Sequence, residues 1–360
     1  MSVEEKGPSF KDAASEASPS YTTTGTERTR SISLNLWEEP LSSLSEIGAG
    51  GFGKILIRPE RKRTVSPKDD DTSRSAKPRV LETCLKVSPL PKNGSGGLMR
   101  EFKILSFLKE SSKGEPFYPL VFKYTRLSDN KQECIEMERL HEPLSNLTRI
   151  QKKKGIPQKP PEPQVFYTVA VQAFRCLQRL HEAGIYHGDV KPRNFVFDQD
   201  RVLKLVDFGL SQFLPAPDTS GSRESAKTRR SVSQSRFDPA GRLVDSKTRG
   251  RFEGTTKYCS PRVHEKKSAH PSDDYLSLLY FLWEWYTQKR LPWHSVKERD
   301  AVLALKKKWT GWNELPGPLA MLYNVCKSPR LFETNEVGRL LTCLEQKRKV
   351  LLSNNKKLEQ

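Results

Sequence analysis

Residues 186–197 read Tyr-His-Gly-Asp-Val-Lys-Pro-Arg-Asn-Phe-Val-Phe, and thirteen positions beyond Asn194 stands Asp207-Phe208-Gly209. No other feature of the chain constrains its fold as tightly. Asp189, Lys191 and Asn194 put a proton acceptor, a cation and an amide oxygen on one short loop. A strand–turn–strand pattern over 194–206 then delivers a second carboxylate, Asp207. Hard oxygen ligands such as Asn194 and Asp207 suit magnesium, which shares its shell with phosphate and water. The bland alternative is an unrelated polar loop followed by an unrelated Asp-Phe-Gly.

Further pieces lie upstream in a fixed order. Gly48, Gly50 and Gly53 in "GAGGFGK" fit G-x-G-x-x-G, flanked by Ile47 and Ile55. A dinucleotide-binding turn fits the same pattern but must open a helix. Here the β-branched run "KILI" follows, so the glycines sit between strands, where the backbone can fold over phosphates without a Cβ clash. Taken alone, the stretch could equally be an unliganded hairpin. Lys86 stands in the apolar strand "TCLKV", where a buried ammonium requires a partner. Glu101, on the helix expected over 96–110, can supply it. Taken alone, these two could be an edge-strand lysine and a solvated helix acid.

Gly loop, Lys, Glu, Asp-x-Lys-x-x-Asn and Asp-Phe-Gly in this order resemble the phosphoryl-transfer set of eukaryotic protein kinases over roughly residues 40–345. The resemblance implies an α+β, bilobal protein kinase fold with a β-rich N-lobe and a mostly helical C-lobe. It also implies ATP and Mg2+ as cofactors, with Asp189 as base, Lys191 at the γ-phosphate, and Asn194 and Asp207 on the metal. "GTTKYCSPRVH" at 254–264, "SDDYLSLLYFLWEW" at 272–285 and "LPW" at 291–293 resemble the casein kinase group, which places Met137 as gatekeeper. Within the group the chain looks most like the tau–tubulin kinase and nematode-type branches, and its His-Gly-Asp wording is shared with vaccinia-related kinases. Asp274 is then expected to anchor the catalytic-loop backbone. Lys257 is expected at a basic site for acidic or pre-phosphorylated protein substrates.

Gly188 stands where many kinases carry an arginine that grips a phosphate on the activation loop. Glycine cannot make that contact, yet Asp189, Lys191, Asn194 and Asp207 are intact. A kinase competent without activation-loop phosphorylation is expected. A catalytically weak pseudokinase scaffold, binding partners through a basic surface, is the alternative.

The expected organisation is a disordered Ser/Thr-rich tail over 1–39 and a kinase domain over 40–345, with its lobes meeting near 138. A polar insertion is expected over 58–80, a basic Ser-rich insertion in the activation segment over 214–252, and a basic tail over 346–360. Helices are expected at 96–110 and 164–183 and through 273–350. The mean hydropathy of −0.68 agrees with partial disorder. The net charge of +19 favours acidic or phosphorylated partners, but no motif reads nucleic-acid bases. The six cysteines have no metal-ligand spacing, and no apolar run reaches the length of a membrane span. The polar N-terminal residues are unlike a secretory signal. A monomer in cytoplasm or nucleus is expected.

Overall fold

Strands rich in β-branched and apolar residues, separated by short turns, make the first part of the folded chain a sheet. In the computed structural model the described residues are 44–50, 53–65, 79–90, 97–111, 114–127, 132–148, 159–214, 254–328, 332 and 334–358. Every element below lies in one compact unit, Ser45–Gln360. The strands β1 (Ser45–Gly50), β2 (Gly53–Val65), β3 (Arg79–Pro89), β4 (Val121–Leu127) and β5 (Gln132–Glu138) form an antiparallel sheet in the order β1-β2-β3-β5-β4. β3 and β5 are interior strands; β5 is almost wholly buried, and β3 is buried from Thr83 to Val87. Helix α1 (Gly97–Ser111) buries Leu98, Glu101, Ile104, Leu105 and Leu108. Phe102 is half-buried, packed against the core and 5.8 Å from the Tyr124 ring.

The second part is helical, with short two- and three-residue strands at the junction. These are β6 (Glu142–Pro143), β7 (Ile185–Tyr186), β8 (Phe195–Phe197), β9 (Leu203–Leu205) and β10 (Gln212–Phe213). The helices are α2 (Leu144–Leu147), α3 (Pro163–Glu182), α4 (Pro261–His264), α5 (Pro271–Thr287), α6 (Arg299–Lys308), α7 (Gly317–Cys326) and α8 (Thr334–Leu358). In α3, which matches the helix expected at 164–183, Val169, Val171, Phe174, Leu177 and Leu180 are buried. α5 is buried without a break from Ser272 to Trp285; its run from Tyr275 to Trp283 is apolar apart from Ser277 and so has no face to give to solvent. Its aromatic rings pack edge-on against Trp293 and Trp309, with Tyr280 5.2 Å from each. The architecture is the α+β, bilobal one expected, β-rich first and helical second.

Two boundaries differ from the sequence reading. The basic stretch from 346 is no separate tail, because α8 runs on to Leu358. Val337, Leu340, Leu341 and Leu344 bury its earlier turns in the core, so the charged residues beyond simply continue a helix already formed. The polar segment 58–80 is strand at both ends: Arg63, Thr64 and Val65 pair with Leu81, Val80 and Arg79. Arg63 fastens this extension by donating twice to the buried Glu136 carboxylate, at 3.2 and 3.0 Å. Residues 66–78, the predicted tail over 1–39 and the insertion beyond Leu214 lie outside the described residues.

Candidate active site

The sheet register brings the first group of predicted residues together. Ile55 on β2 pairs with Gly48 on β1 and with Lys86 on β3, so the three lie in one row across the strands. Gly50 closes the hairpin opposite Gly53, while Gly51 and Phe52 lie outside the described residues. Gly53 is obligatory: its φ is +128°, and a Cβ there would lie 2.3 Å from the Val87 carbonyl oxygen. Ile47 is 48% exposed on β1. Met137 is buried on β5, opposite Cys84 on β3 and Val121 on β4.

Lys86 is the hinge of the site's electrostatics. Its Nζ donates to Glu101 Oε2 at 2.7 Å and to Asp207 Oδ1 at 2.9 Å. Burial by itself would lower the ammonium's pKa, but the two carboxylates outweigh it and raise it, so Lys86 stays charged. Sheet, helix α1 and the Asp-Phe-Gly turn thus meet at one ammonium. Asp207 itself sits at φ +70°, ψ +66°, a conformation that side-chain-bearing residues adopt only under local constraint.

The second group forms on the loop after β7. Asp189 is buried, and its carboxylate is fully engaged. Oδ1 accepts the Thr255 amide at 2.9 Å and the Thr255 hydroxyl at 2.7 Å, and Oδ2 accepts the Lys191 ammonium. Burial pushes the Asp189 carboxyl up, but Lys191 and Thr255 together bring it below its ordinary value. Asn194 donates its amide nitrogen to the Asp189 carbonyl at 2.9 Å, which leaves its oxygen as the atom able to ligate. Phe195 on β8 pairs with Leu205 on β9, and the Val206 amide donates to the Asn194 carbonyl at 2.8 Å. That pairing sets Asn194 beside the segment carrying Asp207. The donor set is oxygen only, an amide and a carboxylate, and fits magnesium with phosphate and water completing its shell.

Asp274, in the first turn of α5, holds the loop's backbone. Its Oδ2 accepts the His187 amide at 2.8 Å and its Oδ1 the Gly188 amide at 3.0 Å, while His181 Nε2 meets Oδ2 at 2.9 Å. His187 bonds the Val206 carbonyl through Nε2 at 3.0 Å and accepts the Asp189 amide on Nδ1 at 3.2 Å. Gly188 has φ +84°, and a Cβ would lie 3.1 Å from the Leu210 carbonyl oxygen. Glycine at 188 therefore meets a backbone requirement as well as removing an arginine.

Sequence reasoning passed over several residues. Lys306 on α6, 1% exposed, donates to the carbonyls of Thr256 at 2.8 Å and Cys259 at 2.6 Å, clamping the end of the activation segment. Lys204 on β9 donates to Glu138 at 2.5 Å, a buried ion pair behind the strand that carries Met137. For the Lys204–Glu138 pair the signal was present, since a charge within an apolar run, "LKL" or "IEMER", needs a buried partner; Lys306 opens a run of three lysines that reads as a solvated helix end. Lys257 departs from expectation, since its Nζ is 2.7 Å from the buried Glu284 carboxylate. Its charge is neutralised within the fold rather than held ready for a substrate.

The sequence pattern of the protein kinase domain matches residues 41–326. The chain belongs to the protein kinase family. A putative casein kinase I of Caenorhabditis elegans is 32% identical over 143 residues, 39% of this chain and 35% of the relative. A casein kinase 1-like protein of Oryza sativa subsp. japonica is 30% identical over 189 residues, 49% of this chain and 24% of the relative. A probable serine/threonine-protein kinase of Dictyostelium discoideum is 30% identical over 147 residues, 39% of this chain and 25% of the relative. The chain thus spans about a quarter to a third of the length of these curated relatives.

Proposed function

We propose that the chain is a serine/threonine protein kinase that transfers the γ-phosphoryl group of ATP to protein hydroxyls. The observation that carries this reading is Lys86 Nζ seated between Glu101 at 2.7 Å and Asp207 at 2.9 Å. That arrangement aims a fixed ammonium at phosphate oxygens beside the oxygen donors Asp207 and Asn194. Magnesium, when bound there, supplies positive charge to the phosphate oxygens. Asp189 and Lys191 orient the incoming hydroxyl and neutralise charge at the transferring group. A base held below its ordinary pKa is weak, so positioning and charge neutralisation supply the rate more than base strength does.

Activity independent of activation-loop phosphorylation belongs to the same proposal. It is supported by Gly188 and by a segment end held by other means: Thr255 on Asp189, and Lys306 on the carbonyls of Thr256 and Cys259. Acidic or pre-phosphorylated protein substrates, handled by a monomer, are proposed from the net charge of +19 and the casein kinase motifs. Within that group the tau–tubulin kinase and nematode-type branches are proposed from overall sequence likeness. Six unpaired thiols favour a reducing compartment, cytoplasm or nucleus.

The test is radiolabelled transfer to a peptide library with and without acidic or phosphorylated positions, comparing the parent with Asp189→Asn. Label on Ser and Thr that falls at least about a hundredfold in the variant is expected. Equal labelling by both proteins would refute the reading in favour of a scaffold. Activity that phosphatase treatment abolishes and a loop kinase restores would refute the regulatory part alone.

A further inference from the structure

We infer that Glu133 is a positioning residue for phosphoryl transfer, tethering the N-terminus of helix α1 from strand β5 so that Glu101 stays against Lys86. The inference rests on the kinase reading above.

The first turn of a helix leaves backbone N–H groups without intrahelical partners and carries a partial positive charge. α1 has no acidic residue in its own first turn. The anion comes from another element. Glu133, 1% exposed, accepts the Leu98 amide at 2.6 Å and the Met99 amide at 3.3 Å. The Tyr124 hydroxyl on β4 donates to Glu133 Oε2 at 3.0 Å, and Arg126 Nε donates to that hydroxyl oxygen at 3.2 Å. Arg126 is also the cross-strand partner of Glu133. A chain of charge-assisted bonds thus runs from β4 through β5 into the helix end.

An acid buried in a central strand is costly unless its oxygens are satisfied, and here helix amides and a phenol satisfy them. The geometry gives that acid a consequence for the site. Glu101 lies three residues after Leu98, so a shift or fraying of the first turn moves its carboxylate away from the ammonium 2.7 Å distant. The helix has a second tie further along: Arg100 donates to the Ser211 carbonyl at 2.6 Å, just beyond the Asp-Phe-Gly turn. With glycine at 188, no arginine there can pass a loop phosphate's signal to this helix. The first turn of α1 is held from within the sheet, by Glu133.

The full chain serves for the test, as parent, Glu133→Ala, Glu133→Gln, Tyr124→Phe, Glu101→Gln and the Glu101→Gln/Glu133→Ala double variant. Steady-state transfer kinetics are read beside amide exchange at Leu98 and Met99, and thermal melting checks that each variant is folded. Glu133→Ala should lower kcat/KM for ATP about tenfold and speed exchange of both amides. Glu133→Gln, which keeps one acceptor, should stay within about threefold of the parent, as should Tyr124→Phe, which leaves both amide bonds intact. In the Glu101→Gln background, Glu133→Ala should cost less than about twofold, because the residue it acts through is already disabled. An equal loss in both backgrounds would mean general destabilisation and overturn the inference. Unchanged amide exchange, or an active parent indifferent to Glu133→Ala, would overturn it alone. An inactive parent would overturn the kinase reading and this inference together.

Discussion

Replacing Asp274 tests how the catalytic loop is held. Its two carboxylate oxygens receive three contacts: His187 N–H and His181 Nε2 on Oδ2, and Gly188 N–H on Oδ1. The side chain is 1% exposed, so water cannot substitute. Asp274→Asn keeps one acceptor oxygen and sets an NH2 where the other stood. If the NH2 takes the Oδ1 position, only the Gly188 amide is stranded. In the opposite orientation the His187 amide is stranded, and His181 can accept from the NH2 only as the tautomer that puts its hydrogen on the buried, unpartnered Nδ1. The first orientation strands one buried donor and is the cheaper, at about 1–3 kcal/mol. Asp274→Ala strands both amides and should cost about 3–5 kcal/mol, a large share of the roughly 5–15 kcal/mol that a domain has. Urea unfolding should rank parent, Asn and Ala in that order. Amide exchange should rise at His187 and Gly188, and kcat should fall more than KM for ATP rises, since Asp189 is the next residue. Variants that unfold within about 0.5 kcal/mol of the parent, or unchanged exchange at both amides, would refute this account of the loop.

Restoring the arginine should not restore the regulation it serves elsewhere. Gly188→Arg puts a side chain at φ +84°, 3.1 Å from the Leu210 carbonyl, and should cost about 1–2 kcal/mol, read by thermal melting; an unshifted or raised melting temperature would contradict the steric reading. His264 Nε2 lies 3.1 Å from the Lys306 ammonium, and burial followed by that charge lowers its pKa from 6.5 to about 4. The folded state therefore resists a proton that the unfolded state accepts, so this contribution is full above pH 6.5 and lost as pH falls toward 4. Between pH 7.5 and 5 the parent should lose about 1–2 kcal/mol relative to His264→Gln, and a pH-independent difference in urea unfolding would sink the assignment. The comparison must be with that variant, because burial raises Asp273 to about 6 and opposes the trend over much of the same range.

The proposed chemistry was legible in residue types and their order. Asp189, Lys191, Asn194 and Asp207 can be picked out from the sequence because the proposed phosphoryl transfer needs those functional groups at those spacings, and local strand–turn–strand pairing sets Asn194 beside the segment carrying Asp207. The burial of one face of α3 followed from its periodicity, and that of α5 from an almost continuous apolar run. Tertiary structure decided whatever depends on a partner distant in the chain: that Lys86 bridges Glu101 and Asp207, that Lys257 is spent on Glu284, and that Lys306 grips the activation segment from α6. It also turned Gly188 from a missing arginine into a required backbone conformation, and Glu133 from one acid in a strand into the cap of a helix thirty-five residues earlier. A sequence states which charges a chain carries; whether a buried charge is available or already paired depends on which segment packs against it, and that is set only when the whole core closes.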